Sequence, residues 1–442
     1  MYSRQMIAVA AILCATGSLQ AQNTPAQGKN AKSGLRIHAY KNGHWFDGKT
    51  FSAAKSMYSV NGILHPNRTF KVDEEVDLKG AYVIPACGEA HNHNATGDND
   101  RAIDGYLKSG ILYVKNPSNL PQVREGARIN SPTGIDVIFS NGSLTSPGGH
   151  PIGLVRRNIE RGVMKPEDGE GAFYHTIDSL EDLDEKLPKL LASKPVFVKT
   201  ILVYSEEFEK RKNNEKYFSR RGLNPALLKP IVERVHKAGL TVATHVESAA
   251  DFHVAVEAGT DEINHMPGFW PTDESLASHD FSHYRIAETD ARQAGQRKIR
   301  VVTTLGESID KLKAGQDSAA RDGLIEVYRH NINLLKKYLV PILMGSDQFR
   351  KNSQAEVLAL ADAKLMSNLE LVKSWCEVTP QAIFPKRRLG KLKDGYEANF
   401  VVLDKNPIQD VGAINDVRLV FKAGKELKGA SRSVGNGQSR LR

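Results

Sequence analysis

Two histidines one residue apart, His91 and His93, follow an apolar run that begins at Val83. On an extended strand, side chains two apart project to the same side, so both imidazoles aim at one point. A His-X-His pair alone is a weak metal signal, but other apolar runs end in similar residues. They close at His245, at His265 and in Gly345-Ser346-Asp347. Four imidazoles and a carboxylate form a donor set suited to zinc or a similar divalent ion. Lys199 stands in the middle of Phe197-Val198-Lys199-Thr200-Ile201. A buried ammonium must find a partner or change its protonation state, and while protonated it cannot ligate a cation. Two readings follow. Lys199 pairs with an Asp or Glu inside the fold, or its neutral amine adds carbon dioxide and becomes a carbamate able to bridge two ions.

These residues need strands that end together. Eight runs serve: 83–90, 111–114, 136–139, 196–203, 241–245, 262–265, 300–304 and 341–345. Most are rich in Val and Ile and end in polar residues, as parallel strands buried on both faces do. Helices lie between them. Asn224-Pro225 opens one with a cap residue followed by proline; another spans 248–258 and is closed by Gly259. The longest spans 318–338, with apolar Leu324, Val327, Ile332, Leu334 and Leu335. The expected fold is α/β: a (β/α)8 TIM barrel over 83–385, with its active site at the C-terminal ends of the strands. The flanks 35–82 and 386–430 carry short strand-like runs and turn signals such as Asn42-Gly43 and Asn61-Gly62. They are expected to pair as a small β-sandwich accessory domain built from both ends of the chain.

Val83-Ile84-Pro85 running into His91-Asn92-His93 resembles the opening of the amidohydrolase superfamily. His245-Val246-Glu247, Ala255 to Gly259 and His265 are similar to its fifth and sixth strands, and Gly345-Ser346-Asp347 to the end of its eighth. The segment from Leu389 to Asp404 resembles its return into the accessory domain. The likeness is to the binuclear, imidazolonepropionase/prolidase-like group. It implies two divalent metal ions, zinc by ligand type, with His91 and His93 on the buried ion and His245 and His265 on the exposed one. Carboxylated Lys199 and a hydroxide would bridge them, and Asp347 would ligate the buried ion and shuttle the proton. Hydroxide would attack the carbonyl of an amide or peptide-like substrate and break its C–N bond. The chain departs from the family at Glu89, where Asp is usual, and in Ala86-Cys87-Gly88 and Gln348-Phe349.

Three further residues are candidates for substrate binding. His150, in Ser146-Pro147-Gly148-Gly149-His150-Pro151, holds a substrate oxygen or sits exposed in a tight turn. Tyr204 donates to an oxyanion or packs at an interface. Lys115 neutralises a substrate carboxylate or lies on the surface. The stretch 269–298 is too long for a plain connector and is expected to cover the mouth, with His279 and His283 facing solvent. Two other functions compete: a mononuclear deaminase using His91, His93, one more histidine and Asp347, and an exported binding protein that has lost catalysis.

The 442 residues are 40% hydrophobic and 25% charged, ordinary for a globular protein. Residues 1–21 have a signal peptide's anatomy: Arg4, an apolar stretch from Met6 to Leu13, then small residues up to Ala21. A polar linker at 22–34 follows, and a basic tail at 431–442 ends the chain. The mature protein is therefore expected to be periplasmic or secreted. It would keep two distant cysteines, Cys87 and Cys376, which make no disulfide framework. The net charge of +9 is spread over the 210–221 loop and the tail without interleaved aromatics, which argues against nucleic acid. No later stretch is apolar for long enough to cross a membrane. Expected partners are a small-molecule or peptide-like substrate and, for a homo-oligomer, a second copy of the chain.

Overall fold

The computed structural model describes residues 36–67, 71–315 and 317–429. The expected signal peptide, linker and basic tail lie outside the described residues.

Eight parallel strand positions form the barrel. They are Cys87–Glu89, Ile111–Asn116, Asp136–Phe139 continuing as Ser143–Thr145, Phe197–Ile201, Thr241–His245, Glu262–Asn264, Arg300–Val302 and Ile342–Leu343. Each pairs with the next in parallel register, for example Ile201 beside His245 and His245 beside Asn264. The third strand is interrupted by Ser140-Asn141-Gly142, and both halves reach the fourth: Val196 N–H donates to Phe139 O, and Thr200 pairs with Leu144. The ring closes where Ala90 N–H donates to Met344 O at 2.8 Å. Val242, Ala243, Ile263, Val301 and Leu343 are buried on these strands, as a sheet covered on both faces requires.

The helices start and stop where their caps dictate. The Asn224 side chain accepts from Ala226 N–H ahead of Pro225–Lys237, and Arg234, His236 and Lys237 occupy that helix's last turn. Ser248 and Asp251 form a reciprocal capping box on Ala249–Ala258, which ends at Gly259 in the left-handed conformation, φ +79°. The long helix Ser318–Lys337 buries Leu324, Val327, Ile332 and Leu335 but leaves Leu334 partly exposed.

The two flanks of the chain meet in one mixed sheet. Ile37–Trp45 pairs with Lys55–Val60, Glu74–Asp77 and Tyr82–Pro85, and the last of these pairs antiparallel with Phe400–Leu403. Tyr40, Trp45, Phe400 and Phe421 pack as an aromatic cluster, and the Tyr40 hydroxyl donates to Gly424 O at 2.6 Å.

This sheet corrects the expected first barrel strand. Residues 83–90 are not one strand: Tyr82–Pro85 belongs to the accessory sheet, and only Cys87–Glu89 is in the barrel. The change of partner falls between Ala86 N–H, donated to Asn399 O, and Cys87 N–H, donated to Gly110 O. Pro85 lacks the amide that a continuous ladder would need, so one run is divided between two sheets.

Candidate metal centre and active site

The first and eighth strands bring three of the expected ligands to one point. Asp347 N–H donates to His91 O at 2.8 Å, which ties the two strand ends together through their backbones. Gly345 permits the approach, because a Cβ there would lie 2.9 Å from the His91 nitrogen. Beneath them Glu89 is fully buried and accepts from His91 N–H (3.2 Å), Ser346 N–H (2.8 Å) and the Ser346 hydroxyl (2.8 Å). Burial pushes its pKa up to about 8, and these donors oppose the rise. Glu89 thus holds both ligand-bearing segments in place.

Asp347 Oδ1 lies 3.7 Å from His91 Nε2 and 3.3 Å from His93 Nε2. One ligand atom from each of these residues fits within 4.8 Å of the others. His93 Nδ1 is 3.3 Å from Ser118 O. A carbonyl can only accept, so Nδ1 carries a proton and Nε2 is the ring nitrogen turned to the centre.

The fifth and sixth strands supply the other two histidines. His245 ends its strand and His265 follows the next, with ring centroids 4.4 Å apart; His265 is 4.5 Å from His91. His265 Nδ1 lies 2.7 Å from Thr304 Oγ1 and 4.0 Å from Asp347 Oδ2. His265 and Asp347 both hold a left-handed backbone, φ +78° and +49°. Non-glycine residues avoid that region unless their surroundings force it, and such strain gathers at functional sites. Phe269 stacks on His265 at 4.0 Å and closes that side. Burial lowers the pKa of His91, His245 and His265 well below the usual imidazole value, so at neutral pH they carry the lone pair a metal needs.

Lys199 reaches into the same space from the fourth strand and lines the cavity beside the histidines. It is buried, and its amine donates to Asn264 Oδ1 at 2.6 Å rather than to a carboxylate. Burial lowers its pKa to about 7, with Asp347 and Glu262 opposing the drop. The donor set fits divalent ions: neutral imidazoles and a carboxylate converge, and the buried His91 Nδ1 lacks a hydrogen-bond partner.

A cavity of about 300 Å³ opens above this centre. Of the three expected substrate residues, the structure brings only His150 into it. The His150 ring stacks on His245 at 5.1 Å, and burial lowers its pKa to about 3. Lys115 requires correction. It is buried inside the barrel, 2.7 Å from Glu262 Oε1 and 4.1 Å above the Phe197 ring, and does not line the cavity. Tyr204 also falls outside the lining. Its left-handed φ of +50° turns it toward Tyr284, hydroxyl to hydroxyl at 3.0 Å, with Arg211 over its ring.

The 269–298 stretch covers the centre only through its first residue, Phe269, over His265; the rest forms the helices Asp273–Ser278 and Glu288–Gln296 and does not line the cavity. His279 is exposed, but His283 is half-buried against Tyr284 and Ser275. The walls come from the loops after the first, second, third and eighth strands. Glu262, Asn264 and Thr304 were missed by sequence reasoning. Glu262 and Asn264 alternate with buried Ile263, so they point into the barrel on the side opposite it, and that spacing was available as a signal. Thr304 carried no comparable mark.

The amidohydrolase family model matches residues 111–427, well over half of the chain. The ochratoxinase of Aspergillus niger is 26% identical over 364 residues, covering 79% of this chain and 69% of that one. Its crystal structure superimposes with a TM-score of 0.68 at 19% identity, covering 91% of this chain and 97% of the other. A prolidase complexed with N-methylphosphonate-L-proline gives 0.65 at 17% identity (88% and 99% covered), and molinate hydrolase 0.66 at 15% (92% and 97%). At those identities the structural likenesses carry the fold alone: the barrel with its accessory sheet. The family match, with the metal-ligating triad at the strand ends, settles the class. The chain belongs to the amidohydrolase family and is a metal-dependent hydrolase acting on carbon–nitrogen bonds.

Proposed function

We propose that this enzyme hydrolyses the C–N bond of a small amide or peptide-like substrate at a binuclear centre. His91, His93 and Asp347 would hold one ion, His245 and His265 the other, and Lys199, as its carbamate, would join them. Zinc suits these donors. When bound, the ions supply Lewis acidity toward the substrate carbonyl and make water acidic enough to attack it at neutral pH.

The chain's own residues do the rest. Asp347 lies against His91 and His93, placed to take a proton from the attacking water and return it to the leaving nitrogen, whereas Glu247 meets His245 Nε2 at 3.4 Å. Neutral His150 offers one ring N–H to a substrate oxygen. Phe269 keeps water from the face of His265 and fixes its ring. The observation that carries the proposal is the convergence of His91, His93 and Asp347 within 4.8 Å, beside His245 and His265. Similarity to an ochratoxinase and a prolidase supports an amide or peptide-like bond. Elemental analysis of the purified protein should find about two divalent ions per chain. Lys199→Ala should lose activity and regain part of it with a short carboxylic acid; full metal content and activity in that variant would overturn the bridging role.

One observation favours a mononuclear deaminase as the second reading. Among the described residues only His91, His93 and Asp347 come within 4.8 Å as a set, and the Lys199 amine already has Asn264 as a partner. One ion per chain, with ammonia released from an amino-heterocycle, would establish it. We also propose that the chain is exported and cleaved after Ala21, which N-terminal sequencing of the mature protein tests. No helix among the described residues is long and apolar enough to cross a membrane.

A further inference from the structure

The cavity walls differ in chemistry from its floor. Above the histidines, side chains from four separate segments are apolar: Leu120, Leu154, Met164, Phe173, Ile201 and Phe349. At the rim, Phe349 is 64% exposed and Val163 71% exposed, so large apolar groups stand in water around an open mouth. These groups rim an apolar pocket with a few polar groups, the usual form of a small-ligand site.

The charges are as informative. Besides Asp347, the described lining contains one carboxylate, Asp98, and one lysine, Lys199, at the floor among the metal-type residues; it contains no arginine. Lys115, the residue that would have met a substrate carboxylate, is paired with Glu262 inside the barrel. The basic 210–221 loop does not replace it. Lys210 and Arg211 pair with Glu207, Lys212 with Glu209, and Arg221 donates to backbone carbonyls of Pro147 and Arg211. Arg220 is exposed and outside the lining.

From this distribution we infer that the substrate is an uncharged amide carrying an apolar arm, held between Phe349 and the Leu154–Met164 wall, and not a dipeptide or amino-acid conjugate with a free carboxylate. The inference rests on the proposed amide hydrolysis and names its substrate class. A carboxylate pressed against Leu154, Met164 and Phe349 would lose water without gaining a cation from the lining other than Lys199 at the floor, which is costly. Arg350, beside Phe349, is exposed and outside the lining. An aromatic or branched alkyl arm would lose only unfavourable hydration. In the reaction, one water is consumed. Its oxygen joins the carbonyl carbon as the C–N bond breaks, one proton passes to the nitrogen, and the other stays with the acid product.

The test uses two pairs of compounds that differ only by a carboxylate, with full-length metal-loaded protein. N-benzoyl-phenethylamine and N-benzoyl-L-phenylalanine report turnover. Their benzenesulfonyl counterparts, which are not hydrolysed, report binding by calorimetry. The uncharged member should be favoured at least about tenfold in both kcat/KM and Kd. Phe349→Ser should erode that preference, and Leu154→Arg should shift it toward the acid; both sites lie at the cavity wall, and unchanged circular dichroism verifies the fold. Equal or tighter binding of the acid sulfonamide overturns the inference, whatever the turnover. Uncharged preference in binding with no turnover of either amide supports the inference and counts against amide hydrolysis, so the two can fail separately.

Discussion

Two buried lysines, Lys115 and Lys199, project into the same barrel interior and share one polar chain, yet they meet opposite circumstances. Lys115 Nζ lies 2.7 Å from Glu262 Oε1; Asn264 Nδ2 donates to that same oxygen at 2.9 Å; and Asn264 Oδ1 accepts from Lys199 Nζ at 2.6 Å. Burial lowers the pKa of both lysines. For Lys115 a full carboxylate answers at contact distance. For Lys199 the contact partner is a neutral amide, and its pKa falls to about 7. The difference teaches that burial alone does not make a lysine reactive. The paired one is architecture, and the one given only an amide is the one the proposed mechanism assigns to chemistry.

The strongest break of this contrast lies at the mouth. Asp347→Asn keeps the shape and its tie to His91 O through the backbone, but removes the charge and the proton acceptor. Activity should fall by about a thousandfold or more, with little change in melting temperature. Steady-state kinetics beside thermal melts would decide it, and an active variant would remove Asp347 from the chemistry. Lys199→Ala should follow, at about a hundredfold or more, with rescue by acetate or propionate. Asn264→Ala strips Lys199 of its partner and should cost less, since the amine itself remains.

Lys115→Met should behave in the reverse manner. It leaves Glu262 buried without its cation, so the expected loss is about 3–5 kcal/mol of stability, read by urea unfolding. The double variant Lys115→Met/Glu262→Met should recover most of it, because an apolar pair of similar volume avoids the desolvation cost. If Lys115→Met instead abolished activity at full stability, the division between architecture and chemistry would collapse.

The same division explains what could be read from the sequence. His91, His93, His245, His265 and Asp347 announced themselves because each follows an apolar run, and the parallel alternation of runs and helices gave the barrel. Residue type and local spacing suffice for that. The role of Lys115 was not legible, because its partner Glu262 lies 147 residues away and meets it only through the closed barrel. Which of its two readings Tyr204 takes was not legible, because it packs toward Tyr284, 80 residues away, from a left-handed backbone after the fourth strand. The 83–90 run hid a change of sheet between Ala86 and Cys87, because every residue from Val83 to Gly88 is apolar or small. Phe269 and Thr304 meet the centre through contacts with His245 and His265 that no pattern along the chain marks.

The mildest prediction separates mouth from interior by pH. His91, His245 and His265 have pKa values well below the usual 6.5, and His150 falls to about 3, all by burial. A histidine whose folded pKa is depressed binds fewer protons when folded, so its stabilisation is full above about pH 6.5 and drains away as pH falls. Glu262 belongs to the interior. Burial works against its charge, but Lys115 and Arg300 hold its pKa below the usual 4.5, so its contribution is lost only under more acidic conditions. With metal removed by chelator, these histidines should therefore pull melting down from pH 7 to pH 5, before the Glu262 pair is touched. Glu89 and Glu356 pull the opposite way, since their raised pKa values favour the fold as pH falls. His150→Gln should flatten that first decline and leave the later one. A variant that flattened neither would mean that His150 is as easily protonated as a surface histidine, and its place in the buried imidazole cluster would be lost.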